Sequence, residues 1–126
     1  MQLNLERPDY AFTLRGADGA HALVNDRVLR NSFVIAPDTL VEDWPVTDAG
    51  TMEPSHLEAV LALQPELVLL GTGATQVFPA PTVLAACLTR HVGIEVMTND
   101  AAARTYTVLA AEGRRVVAGF ILSERV

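Results

Sequence analysis

Four apolar residues in a row, Leu67-Val68-Leu69-Leu70, opened by Pro65 and closed by Gly71 and Gly73, dominate the hydrophobic pattern of this chain. A run of that length without a polar break predicts a short strand covered on both faces that empties into a tight loop. Burial of those side chains contributes roughly 1.5 to 3 kcal/mol each before entropy is counted, which predicts a place at the sheet centre. Upstream the period is two. Tyr10, Phe12 and Leu14 alternate with Ala11, Thr13 and Arg15, the pattern of a half-buried strand. Gly16-Ala17-Asp18-Gly19 supplies turn chemistry, and residues 20–24 return as the hairpin partner. After an Asn25-Asp26 turn come a short strand at residues 27–30 and a buried strand at residues 32–36, stopped by Pro37. Between Asp38 and Thr51, Leu40, Val41, Trp44 and Val46 are interrupted by Glu42, Asp43 and Pro45, which predicts an edge strand and then a loop.

The second half switches to helical spacing. Pro54 suits a first helical position, Leu57, Val60 and Leu61 follow at i, i+3 and i+4, and Pro65 ends the element. A second helix starts near Pro81, with Leu84, Cys87, Leu88 and His91 on one stripe and Gly93 as a left-handed cap. Residues 94–97 read as a strand. A third helix starts with Thr98 or Asn99 as N-cap, buries Ala102, Tyr106, Leu109 and Ala110, and stops at Gly113. Residues 116–122 close the chain as a buried strand. Strands followed by alternating helices and strands predict one α/β domain over residues 1–126. Helices alternating with buried strands call for a mostly parallel sheet with right-handed crossovers, and the N-terminal hairpins add antiparallel pieces.

Composition narrows the chemistry. At 126 residues, half of them apolar, the chain can bury a core without staples. All nine basic residues are arginine, so Schiff-base chemistry, pyridoxal phosphate anchoring and a Walker-type lysine are excluded from this chain. A formal charge of -6 repels phosphate backbones and anionic lipid, which argues against nucleic acid and against direct membrane insertion. The first six residues lack a basic, apolar leader pattern, and the single cysteine, Cys87, cannot form an internal bridge. These features predict a cytoplasmic protein. His21, His56 and His91 stand at no metal-ligand spacing, Cys87 reads as a buried thiol, and no cofactor or metal is expected.

Two motifs carry more. Leu69-Leu70-Gly71-Thr72-Gly73 with Phe78-Pro79, and residues 98–106 with residues 112–116, together resemble a domain-of-unknown-function family. That family includes the mitochondrial respiratory complex I assembly factor 3 proteins and small bacterial relatives. The resemblance covers the chain from about Tyr10 to the last strand. It implies a three-layer α/β fold, with a central mixed, mostly parallel sheet, helices and an additional N-terminal β-hairpin layer, no catalytic residues assigned by family, and a role in assembling an inner-membrane complex through protein contacts. Ala103, where a cysteine is frequent, and Thr107, where an asparagine is usual, depart from that pattern.

Read from the residues themselves, Gly71-Thr72-Gly73 invites a phosphate loop, yet Phe78, Pro79 and Pro81 delay the following helix, so a structural turn is favoured. Arg104-Thr105-Tyr106 could hold an anion near a helix N-terminus, against an ion pair of Arg104 with Asp100 and a core role for Tyr106. Two functional readings follow. The first is a non-enzymatic interaction or assembly factor, peripheral to an inner membrane through its partner, with Trp44 and Phe78 as exposed contacts. Its partner would be a membrane-complex subunit or a fellow assembly factor, or a second copy of the chain. Trp44 also fits a lid over the core's edge. The second is a small-molecule or anion site, binding or catalytic, formed by Gly71, Thr72, Gly73, Arg104, Thr105 and Tyr106.

Overall fold

The computed structural model describes residues 11–123, so Tyr10 and the first six positions lie outside the described residues. Among the described residues eight strands appear in chain order: β1 (Leu14–Ala17), β2 (Ala22–Val24), β3 (Arg27–Leu29), β4 (Phe33–Ala36), β5 (Thr39–Val41), β6 (Leu67–Gly71), β7 (Gly93–Met97) and β8 (Val116–Phe120). Three helices join them: α1 (Glu58–Leu61), extended at its start by a 3-10 turn over Pro54–Leu57, then α2 (Pro81–Leu88) and α3 (Asn99–Ala111). A second 3-10 turn covers Ala49–Thr51.

The strands form two sheets. The antiparallel meander β1-β2-β3 is the additional layer, and the central sheet runs β5-β4-β8-β6-β7. Within that mixed sheet β6 is parallel to both β7 and β8, whereas β4 is antiparallel to both β5 and β8, so the parallel half ends at β8. The expected centre of the sheet shifts accordingly. The connection through α3 carries the chain from β7 past β6, so β8 takes the middle and β6 lies one place toward the β7 edge.

Alternation along the central strands divides the core. Phe33, Ile35, Leu69, Val116, Ala118 and Phe120 face the three-stranded sheet and α3, where they meet Leu14, Val24 and Tyr106. Val34, Val68, Leu70, Val117 and Ile121 face α1 and α2, meeting Trp44, Leu57, Val60, Val83 and Cys87. Both faces of the sheet are therefore covered, which is why its strands read as continuous apolar runs. The Phe33 and Phe120 rings stack at 5.1 Å across the β4-β8 pair. Pro65 follows the helix as expected, although the left-handed residue that turns the chain is Gln64, at φ 57°.

Candidate functional site

The ends of β6 and β8 are organised by one buried amide. Thr98 caps α3, its Oγ1 accepting from the Ala101 N–H at 3.3 Å, and this frees the Asn99 side chain to enter the core. There it is fully buried and fully used. Its Oδ1 accepts from the Gly73 N–H at 3.1 Å, and its Nδ2 donates to the Asp18 and Ile121 carbonyls at 2.8 and 2.9 Å. One side chain thus ties the loop after β6, the β1-β2 turn and the end of β8 together. Gly71 is glycine because a Cβ would collide with Asn99 Oδ1, while Gly73 carries the backbone angle, φ 110°, that a turn needs there. Sequence reading placed Asn99 as a possible cap and missed the hub, since its three partners lie 22 to 81 residues away.

Outside this hub lies an open crevice of about 980 Å³. Asp18 and His21 come from the β1-β2 turn, Asp48 and Thr51 from the segment after β5, and Thr72 and Gly73 from the end of β6. Thr72 also shapes the loop beside it: its Oγ1 donates to the Thr75 carbonyl at 2.7 Å and accepts from the Val77 N–H at 3.0 Å. Asp18 Oδ1 accepts from the Ala20 and His21 N–H groups at 2.8 and 2.7 Å, and these bonds hold its carboxyl below the usual range.

The expected pocket residues separate. Thr72 and Gly73 line the crevice, and Gly71 lies beneath it against Asn99. Arg104, Thr105 and Tyr106 do not line it. Arg104 points to solvent and pairs with Asp100 one turn earlier, while Tyr106, two residues on and so on the opposite side of α3, is buried against the central sheet. The anion pocket is therefore corrected: the crevice carries two carboxylates and no arginine. Among the described residues no group of three or more His, Cys, Asp or Glu could hold a metal ion.

The expected exposed contacts also separate. Trp44 is 3 % exposed, its Nε1–H donates to the His56 carbonyl at 2.9 Å, and its ring lies against Gly119. It is the lid over the core and offers no contact surface. Phe78 is 62 % exposed. It precedes α2, an eight-residue helix without a charged side chain. Here the expected stripe is rotated. Val83 and Cys87, one turn apart, face the core, whereas Leu88 is 57 % exposed and Leu84 is half-buried. The left-handed residue that ends this turn is His91, at φ 60°, and Gly93 already belongs to β7. Burial pushes the Cys87 thiol up, outweighing the opposite pull of Arg90.

Residues 15–121 match the family described as a protein of unknown function (DUF498/DUF598). The chain belongs to this family. Its fold is shared with the solution structure of a Xanthomonas campestris protein, 59 % identical, with a TM-score of 0.82 over 97 % of this chain and 92 % of that one. A crystal structure from Bordetella parapertussis is 34 % identical, with a TM-score of 0.83 over 90 % of this chain and 98 % of that one. A 71-residue stretch is 32 % identical to the "13 kDa major membrane protein" of Francisella tularensis subsp. holarctica (strain LVS), covering 56 % of this chain and 58 % of that protein. No helix among the described residues is long and apolar enough to cross a membrane. The family's description assigns no activity.

Proposed function

We propose that this member of the family is a non-catalytic docking protein that holds a partner subunit during assembly of a larger membrane-associated complex. The observation that carries the reading is the outer surface of α2: Leu88 stands exposed on a helix with no charged residue, and exposed Phe78 precedes it. A surface helix normally turns charged residues to water, and an uncharged outer face with large apolar side chains is the composition of an interface core. The name of the Francisella relative supports a membrane setting. With a charge of -6 and no lysine, attraction to anionic lipid is weak, so that setting is reached through a protein partner.

The test is affinity purification of the tagged chain from its own cells with membranes retained, comparing wild type with Phe78→Ala and with Val108→Ala. Val108 is exposed on α3, away from α2, and serves as the control. Subunits lost with Phe78→Ala and kept with Val108→Ala support the reading. Subunits kept by both variants contradict it.

The crevice supports a second reading, a small-molecule site. Its position at the C-terminal ends of the parallel strands β6 and β8 is where open α/β sheets hold ligands. Asp18 and Asp48, with no arginine facing them, favour a neutral or cationic molecule over an anion. Mass spectrometry of the purified chain before and after denaturation tests this, and release of no small molecule counts against it.

A further inference from the structure

Helix α2 carries two apolar lines. Val83 and Cys87 enter the core, while on the other side Pro81, Leu84, Ala85 and Leu88 recur at i, i+3, i+4 and i+7, the spacing of one continuous stripe. The ends of that stripe, Pro81 and Leu88, are exposed, and its middle is half-buried. Beyond Leu88 the chain winds one more turn. The Arg90 N–H donates to the Cys87 carbonyl at 2.9 Å and the His91 N–H to the Leu88 carbonyl at 3.0 Å. An exposed arginine therefore follows within a turn of the stripe's Leu88 end.

Charge sets this surface apart from the rest of the molecule. All 15 acidic residues lie outside residues 67–94, the longest acid-free run of a chain whose net charge is -6, and that run holds one arginine, Arg90. Arg27, Arg104, Arg114 and Arg115 each pair with a carboxylate, whereas among the described residues Arg90 makes no ion pair. We propose that the outer face of α2 receives an acidic amphipathic helix of another protein, whose apolar stripe covers Leu84, Ala85 and Leu88 and whose carboxylate pairs with Arg90. The inference rests on the reading of α2 as the docking surface and names the chemistry of the partner.

Backbone chemistry selects a helix. The backbone bonds of α2 are internal to it, so an extended segment laid across the stripe would bury N–H and C=O groups without partners, whereas a helix arrives with its own satisfied. The eight residues of α2 give a stripe about 12 Å long, the span of two helical turns. Charge selects the acid. A second copy packed about a two-fold axis on this face would bring Arg90 no carboxylate, because residues 67–94 contain none. A lone arginine falls short of the basic clusters that hold anionic lipid. An acidic helix is repelled by the carboxylates over the rest of the chain, so the acid-free run also selects the face on which it docks.

The test places benzoylphenylalanine at position 88 of the full chain, irradiates intact cells and sequences the crosslinked peptide by mass spectrometry. Leu88 is exposed, so the substitution keeps the fold, which circular dichroism checks. The expected product is a segment of another protein with apolar residues at i, i+3 and i+4 and more acidic than basic residues around them. Arg90→Glu should lower the yield about fivefold, whereas Arg15→Glu, the same change of charge on exposed β1, should leave it within about twofold. The Arg90 effect is read again from a crosslinker at position 78, which leaves Leu88 untouched. The purified chain should not sediment with vesicles of equal parts phosphatidylcholine and phosphatidylglycerol. A basic or uncharged segment, a product with a second copy, yields indifferent to Arg90→Glu, or sedimentation with the vesicles that Arg90→Glu abolishes would overturn the proposal. If position 78 captures a protein while position 88 yields none or a basic segment, the docking reading stands and the acidic helix alone is lost.

Discussion

Asn99 and Gly71 share one volume: the Asn99 carboxamide oxygen fills the space that a Cβ on residue 71 would need. The close approach lets the amide reach Gly73, Asp18 and Ile121 at once, and so sets where the loop after β6 leaves the sheet. Gly71→Ala is expected to destabilise the fold by about 1–3 kcal/mol through overpacking against Asn99 and Phe120. Asn99→Ala should cost at least as much, because each buried group left unsatisfied costs roughly 1–3 kcal/mol. Urea unfolding followed by circular dichroism measures both, and a midpoint unchanged in both variants would remove the hub from this account.

A second close approach joins distant parts of the sequence. A Cβ at residue 119 would stand 2.7 Å from the Trp44 ring, so Gly119→Ala must displace the indole and strain its bond to the His56 carbonyl. Trp44 is the only tryptophan, and its emission reports the lid alone. Gly119→Ala should shift that emission to longer wavelength and lower the unfolding midpoint. Unaltered emission would mean that the ring does not pack on β8.

Acid should weaken the protein through two exposed carboxylates. Asp18 is held below its ordinary value near 3.8 by the Ala20 and His21 N–H bonds, and Asp38 by the Arg115 guanidinium, 3.1 Å away, and by Thr39. A carboxyl whose folded value is depressed adds stability that is complete above the unfolded value and is lost as pH falls through the folded one. The midpoint should therefore fall below about pH 4. Asp18→Asn keeps the acceptor oxygen but not the titration, so its acid limb should be shallower than that of wild type, as urea midpoints across that range will show.

The parts legible in the sequence were those governed by local pattern. The apolar run at residues 67–70, the N-cap at Thr98 or Asn99, the Gly113 stop and the burial of Ala102, Tyr106 and Ala110 all follow from neighbours within a turn or a strand. Long-range geometry was less legible. The place of β8 depends on how the connection through α3 passes β6, the role of Asn99 depends on segments 22 to 81 residues away, and Arg104 could be assigned only once its side of α3 was known. On α2, Val83–Cys87 and Leu84–Leu88 are equally good apolar lines one turn apart, and packing alone decides which one faces water.

The central claim is that the uncharged surface at Phe78 and α2 is where this protein meets its partner. Photocrosslinking tests it most directly: a benzoylphenylalanine is placed at position 78 in one strain and at position 108 in another, and both are irradiated in intact cells. The account predicts a discrete crosslinked protein from position 78 and none from position 108, both sites being more than half exposed. Equal products from both positions, or none from position 78, would contradict it.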